Sequence, residues 1–240
     1  MGKNAKRGVT IVTSTIRSKH IDRIFKNYTR QKWKKKELII VLNKDNLNIN
    51  HYKKKALRYR NVRIFRQNQN KFLGDCLNYA TARARYRYIA KFDDDDYYAP
   101  NYIPEAMKQF ILSNADVVGK RSCFFYFPYK SILLYRKTSV PPYTKCKKIA
   151  GATIMYHKRV FRHVKFVRAR LGTDVRFVSA CLRNGFKVYT TSRFNFAAFR
   201  RKNRYSHTWK VSDKKLLSDQ DAQIVRTKKF KKYVKRSSRP

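Results

Sequence analysis

Apolar positions along the chain fall into two alternating rhythms. Residues 9–15 (Val-Thr-Ile-Val-Thr-Ser-Thr) form a β-branched run, and residues 37–42 (Glu-Leu-Ile-Ile-Val-Leu) form an almost unbroken aliphatic one. Short continuous runs of this kind predict strands buried on both faces, and residues 62–65 (Val-Arg-Ile-Phe) predict a third. Between the first two, Ile21, Ile24, Phe25 and Tyr28 recur at spacings of three and four, which predicts a helix. A basic helix is predicted over about 49–59, and Leu73, Cys76, Leu77, Ala80 and Ala84 give another helix one apolar face. A fourth strand, Tyr88-Ile-Ala-Lys-Phe92, runs directly into Asp93-Asp94-Asp95-Asp96, and Pro100 marks a loop beyond. Strands and helices in this alternation predict an α/β fold: a mostly parallel central sheet with right-handed crossovers, flanked by helices.

The second half is less regular. A helix over about 104–113 leads to a strand at 116–119 and an aromatic run, Phe124-Phe-Tyr-Phe127. Residues 128–148, which include Pro141-Pro142, read as a long loop or lid. Residues 148–156 return as a strand, Thr173 and Asp174 open a helix that Gly185 stops, and 186–189 and 194–197 are strand-like. Residues 226–240 read as a basic tail with Phe230, Tyr233 and Val234 interleaved. The chain shows no internal repeat and no dividing linker.

Composition narrows the picture. A length of 240 residues suits one α/β domain with a substantial core. The formal net charge of +45 makes a globular chain repel itself, so an anionic partner is expected: nucleic acid, anionic lipid, an acidic polymer or a phosphorylated substrate. Cys76, Cys123, Cys146 and Cys181 have neither zinc nor redox spacing, which predicts reduced, mostly buried thiols in a cytosolic protein. No signal-type or membrane-spanning window is present, so the chain reads as soluble. Neither G-x-G-x-x-G nor a Walker A lysine occurs, which excludes a glycine-rich phosphate loop.

Only 14 residues are acidic, and four of them are consecutive. A solvated turn that offsets nearby Lys and Arg would account for them, and that reading stays open. Carboxylates at the carboxyl end of a buried strand nevertheless stand where open α/β sheets bind ligands. Their hard oxygens suit Mn²⁺ or Mg²⁺, which can bridge them to phosphate.

Four landmarks, in order over roughly residues 9–209, resemble the family 2 glycosyltransferases of the GT-A fold. The first is the opening β-α-β. Phe72-Leu-Gly-Asp-Cys-Leu-Asn78 is similar to the family's Leu-Gly-x-x-x-Asn helix start. Ile89-Ala-Lys-Phe-Asp-Asp-Asp-Asp-Tyr-Tyr-Ala-Pro100 is similar to its apolar strand with Asp-x-Asp-Asp. Thr173-Asp174, with Leu182-Arg183 and Gly185, is similar to its Glu-Asp helix ending in Arg-x-x-Gly. The resemblance implies one GT-A domain over 1–210, with a nucleotide-binding half near 8–100 and an acceptor half near 101–210, then a C-terminal helix and basic tail over 211–240. It also implies an inverting, metal-dependent hexosyltransferase that uses a nucleoside diphosphate sugar, with a UDP-sugar favoured. The acceptor would be a hydroxyl of a glycan, polymer or lipid-linked molecule, as in cell-surface polysaccharide synthesis. The expected place is the cytoplasm or, peripherally, the inner face of an anionic membrane.

Carried over by position, the resemblance implies a role for each site residue. Asp95 is the direct ligand of Mn²⁺ or Mg²⁺, and Asp93 touches the metal shell or the ribose. Asp94 counts among the nucleotide-sugar contacts. Thr13 and Thr15 border the base and ribose, and Asn43 or Asp45 stands where the family reads the base. His207 corresponds to a late histidine at the metal or diphosphate. Asp174 is the general base, a role that an ionised carboxylate at a helix N-terminus suits. Simple helix capping by Thr173 or Asp174, and an Asx turn at 43–45, are the structural alternatives. An anionic acceptor, gathered by the basic surface, would join the charge to the site.

Two other classes compete. A nucleic-acid-binding protein or metal-dependent nuclease would use the same charge and the interleaved Tyr and Phe. Its basic residues, however, are spread along the whole chain, without a helix-turn-helix or zinc signature. A basic scaffold on an anionic polymer or membrane is the third reading.

Overall fold

A computed structural model of the chain describes residues 7–203 and 211–237. Its architecture follows from the aliphatic run. In β2 (Lys36–Leu42), Leu38, Ile40 and Leu42 face one layer and Ile39 and Val41 the other, and all five are fully buried. Only a strand covered on both faces accommodates that pattern. It lies parallel between β1 (Val9–Thr15) and β3 (Val62–Arg66). On the other side of β1 come β4 (Tyr88–Lys91), β9 (Met155–His157), β6 (Val117–Lys120) and β10 (Val188–Thr191), giving the seven-stranded order β10-β6-β9-β4-β1-β2-β3. Within it β9 alone runs antiparallel to its neighbours.

Helices cover both faces. Phe25 of α1 (Ile21–Thr29), Tyr52 of α2 (Ile49–Ala56) and Met107 of α4 (Tyr102–Ser113) pack into one core. Leu77 of α3 (Leu73–Ala82) and Phe177 of α5 (Thr173–Arg183) pack into the other. The Gly-Asp-Cys-Leu-Asn helix start has a packing reason. A Cβ on Gly74 would lie 2.2 Å from Val167 O, and Asn78 clamps Phe166 from both sides, donating to its O at 2.8 Å and accepting from its N at 3.0 Å.

A second, five-stranded sheet departs from expectation. It has the order β12-β8-β7-β11-β5, built from β5 (Tyr97–Tyr98), β7 (Phe124–Phe127), β8 (Ile132–Arg136), β11 (Phe196–Phe199) and β12 (Ala222–Arg226). Strand β8 lies inside the stretch read as a loop; the hairpin turns at Ser131, which takes a left-handed φ of 52°. Of residues 148–156, read as a strand, only Met155 and Tyr156 belong to one, β9; a 3-10 turn (Gly151–Thr153) and irregular chain precede it. The basic C-terminal stretch is docked instead of loose. After α6 (Asp213–Leu217) and β12, the Phe230 ring stacks on Tyr126 at 4.3 Å and Val234 of α7 (Lys231–Val234) is fully buried. Asn195 N donates to Val234 O at 2.7 Å. All four cysteines are free and buried.

Candidate active site

Strand β4 stays paired to β1 up to the acidic run, since Phe92 N donates to Val12 O at 3.0 Å. Directly after the run, at Tyr97, β5 already belongs to the second sheet. The four aspartates therefore bridge two sheets, and they fall into separate settings, with Asp94 and Asp95 sharing Arg17.

Asp93 faces Lys91. The Lys91 Nζ lies 2.7 Å from Asp93 Oδ1 and 3.2 Å from Asp174 Oδ2, and donates to Gly151 O at 3.2 Å. Lys91 is only 1% exposed, so this ammonium survives burial through its partners. Burial opposes its charge, but Asp174 and Asp93 outweigh that and hold its pKa above the usual lysine value. For Asp93, burial pushes the carboxyl up and Lys91 pulls it back. Gly151 is what lets its turn come so close: a Cβ there would lie 2.4 Å from Asp174 Oδ2. The second oxygen of Asp174, Oδ1, is buried and has no hydrogen-bond partner among the described residues.

Asp94 and Asp95 face the end of β1. Thr15 Oγ1 donates to Asp94 Oδ2 at 2.5 Å, and Arg17 Nη1 donates to Asp94 Oδ1 at 3.0 Å and to Asp95 Oδ2 at 2.8 Å. His20 Nδ1 is 3.5 Å from Asp94 Oδ1, and Arg201 Nη1 donates to Asp95 Oδ2. Burial opposes ionisation of Asp95, but Arg17 and Arg201 win and hold its carboxyl below the usual range. One ligand atom from each of His20, Asp94 and Asp95 falls within 4.8 Å of the others. An imidazole nitrogen with two carboxylate oxygens is a donor set that a hard divalent ion accepts, so these residues fit a metal. Asp96 has a structural part. Its Oδ1 accepts from Phe199 N at 2.9 Å and its O accepts from Asn27 Nδ2 at 2.9 Å. Burial, then Asp95 and Asp93, push its carboxyl well above the ordinary range.

The expected residues are thus regrouped. Asp95 sits in the group that fits a metal, with Asp94 and His20 beside it, whereas Asp93 pairs with Lys91. Alternation explains this: Lys91 and Asp93 are two apart in extended chain and share a face, and Asp94 turns to the other. Thr13 is buried within β1, and Thr15 touches Asp94 directly. Asn43 N donates to Thr15 O at 2.9 Å and its Nδ2 to Asn68 O at 2.8 Å, while Asp45 Oδ1 accepts from Gln69 N at 3.3 Å. Both tie the end of β2 to the 68–69 loop. His207 lies outside the described residues. Sequence reasoning passed over Lys91, Arg17, His20 and Arg201. Lys91 carried a signal, a lone cation inside an otherwise apolar strand, which must find a partner when buried.

Residues 10–166, well over half of the chain, match the model of glycosyl transferase family 2. The chain belongs to that family. The match takes in the aspartate run, and Asp174 lies beyond it. Solved structures of similar fold include TarS 1-349 from S. aureus in complex with UDP-GlcNAc, at 15% identity and a TM-score of 0.65, covering 85% of this chain and 62% of that one. TarS 1-349 without that ligand gives 14% identity and a TM-score of 0.62, covering 80% of this chain and 60% of that one. The chain therefore spans about 60% of the length of these relatives. At such identity the likeness is one of fold, and the fold is GT-A. Among curated protein sequences none is significantly similar.

Proposed function

We propose that this chain is an inverting glycosyltransferase that moves a sugar from a nucleoside diphosphate sugar, with a UDP-sugar favoured, to an acceptor hydroxyl. The acceptor would be an anionic glycan, polymer or lipid-linked molecule. One observation carries the reading: Asp174 is held by Lys91 through Oδ2 and keeps a buried, unpartnered Oδ1 beside the aspartate run. That oxygen can accept the proton of an attacking hydroxyl, and Lys91 supplies the counter-charge that lets Asp93 and Asp174 share one corner. A single displacement needs one base and no protein nucleophile, and it inverts the anomeric centre.

Thr15, Asn43 and Asp45, at the ends of β1 and β2, border the nucleotide in this reading, and Asp93 meets its ribose. His20, Asp94 and Asp95 would hold Mn²⁺ or Mg²⁺, which when bound neutralises the diphosphate as a Lewis acid. Arg17 and Arg201 add fixed positive charge at the same place, where a departing diphosphate needs it. The solved TarS 1-349 complexes with UDP-GlcNAc and UDP support uracil as the donor base. Among the described residues no helix is long and apolar enough to cross a membrane. In this reading the enzyme works in the cytoplasm, with peripheral contact to anionic lipid through its basic residues.

Calorimetric titration of UDP, with and without Mn²⁺, into the wild type and Asp95→Ala tests the donor site. Binding that needs both the metal and Asp95 is expected. Silence towards UDP, GDP, CDP and TDP alike would overturn the proposal.

A further inference from the structure

A cavity of about 1050 Å³ opens where β6 and β10 end, on the α4 side of the sheet, and it shares no lining residue with the aspartate run. Among the described residues its only carboxylate is Glu105, which is already satisfied. Lys120 Nζ stands 3.1 Å from Glu105 Oε2, which also accepts from Asn195 Nδ2 at 3.1 Å, and Ser192 N donates to Oε1 at 2.9 Å. The other charged residues of the lining are all cations: Lys108, Arg121, Arg193, Lys235 and Arg236. Arg121, Arg193, Lys235 and Arg236 form no ion pair among the described residues.

Two of these guanidinium groups are fixed in place. Arg193 lies over Tyr135 at 4.2 Å and over Phe194 at 5.0 Å, and Arg236 lies over the same Phe194 ring at 4.7 Å. Arg193 Nε is buried and has no hydrogen-bond partner among the described residues. Like charges that share one ring repel, and a buried donor without an acceptor is costly; a bridging anion relieves both. The volume exceeds what one phosphate fills and matches the upper end of ligand pockets, about 300–1,000 Å³.

We propose that this cavity binds a phosphate-bearing segment of the acceptor chain, with Arg193 and Arg236 as the clamp and Arg121 and Lys235 as outer contacts. This rests on the transferase reading above. A single turn separates the cavity from the candidate base. Ala150 N donates to Lys120 O at 2.7 Å and Lys120 N to Thr153 Oγ1 at 2.8 Å, while Gly151 O accepts from Lys91 beside Asp174. A chain long enough to span that turn meets the clamp with one unit and Asp174 with another, and remote binding of this kind positions the reacting hydroxyl. Nucleic acid fits less well, because Arg193 covers the Tyr135 and Phe194 rings on which bases would stack.

The test is a calorimetric titration of short linear polyphosphate into the full chain, with UDP and Mn²⁺ in excess to fill the donor site. The double variant Arg193→Gln/Arg236→Gln is compared with Lys34→Gln/Lys53→Gln, which removes equal charge from exposed positions. The cavity variant is expected to bind polyphosphate about tenfold or more weakly, as for lost hydrogen bonds to a charged group, and the control within about twofold of wild type. Exposed Arg121→Gln, whose loss leaves the core untouched, is expected to weaken binding in the same direction. Equal losses in the cavity and control variants, or no binding by the wild type, would overturn the site. An oligonucleotide that displaces polyphosphate with the same Arg193 and Arg236 dependence would also overturn it, in favour of a nucleic-acid partner. Failure of UDP to bind counts against the transferase reading alone, because the contrast between variants is read with or without nucleotide.

Discussion

Lys91 Nζ stands 3.2 Å from Asp174 Oδ2, so one buried ammonium joins the end of β4 to the first turn of α5. The same atom holds Asp93 at 2.7 Å. Removing it leaves two carboxylates facing each other without a cation. Lys91→Met, close in shape, should therefore cost about 3–5 kcal/mol of stability, as for a broken buried ion pair. Chemical denaturation reads that loss, and an unchanged midpoint would show that the pair contributes nothing to the fold.

Gly151→Ala probes the same corner from the other side. Its Cβ would meet Asp174 Oδ2 at 2.4 Å and Asp174 Cβ at 2.7 Å, so the carboxylate must move. A displacement of about 1 Å at a reacting group lowers kcat about 100-fold. Asp174→Asn, which removes the base altogether, should lower it about 100- to 10,000-fold. UDP affinity, measured in parallel, should stay within about twofold for both, as expected when only the chemical step is lost. Full activity in Asp174→Asn would exclude it as the base.

His157 gives a pH signature. Burial first, then Arg159 and Arg87, push its imidazole from 6.5 down to about 4. A group lowered in the folded state stabilises the protein above its unfolded pKa and loses that contribution as pH falls through the folded one. Stability should therefore drain between pH 6.5 and 4, by about 1–2 kcal/mol once partial exposure is discounted. His157→Asn keeps an acceptor for Arg159 N and cannot titrate, so its melting temperature should fall less over that window. Parallel curves for the two proteins would refute this.

The docked C-terminal stretch is testable by truncating one ring. Phe230 packs against Tyr97, Tyr126 and Phe199, and is 7% exposed. Phe230→Ala should cost about 3 kcal/mol, the scale of a large-to-small core change. A solvated tail would show no shift in the denaturation midpoint.

Much of this was legible in the order of residues. A β-branched run marks β1, an aliphatic run marks β2 and apolar residues around Lys91 mark β4, because only doubly covered strands bury nearly every side chain. The acidic run drew notice because carboxylates are scarce in so basic a chain. Strand β8 was hidden by neighbouring prolines: its five residues pair only with β7 and β12, and no local periodicity announces such pairing. Phe230 and Val234 looked like stray apolar residues among lysines, and only the second sheet gives them a place. The Lys91–Asp174 contact spans two elements, and Arg201 reaches Asp95 from 106 positions away. Contacts of that separation follow from topology, which the pattern of single elements does not specify.

The aspartate run is anchored at both ends. Asp93 N donates to Tyr98 Oη at 2.8 Å, and Asp96 Oδ1 accepts from Phe199 N at 2.9 Å beside the β5–β11 pairing. The four residues therefore act as a spacer of set length between two sheets. A change of side chain at 94 or 95 alters the chemistry and leaves the spacer intact. Deleting one residue slips β5 against β11 and turns Tyr97 and Tyr98 to opposite faces. Divergence in this stretch is thus open in residue identity and closed in residue number.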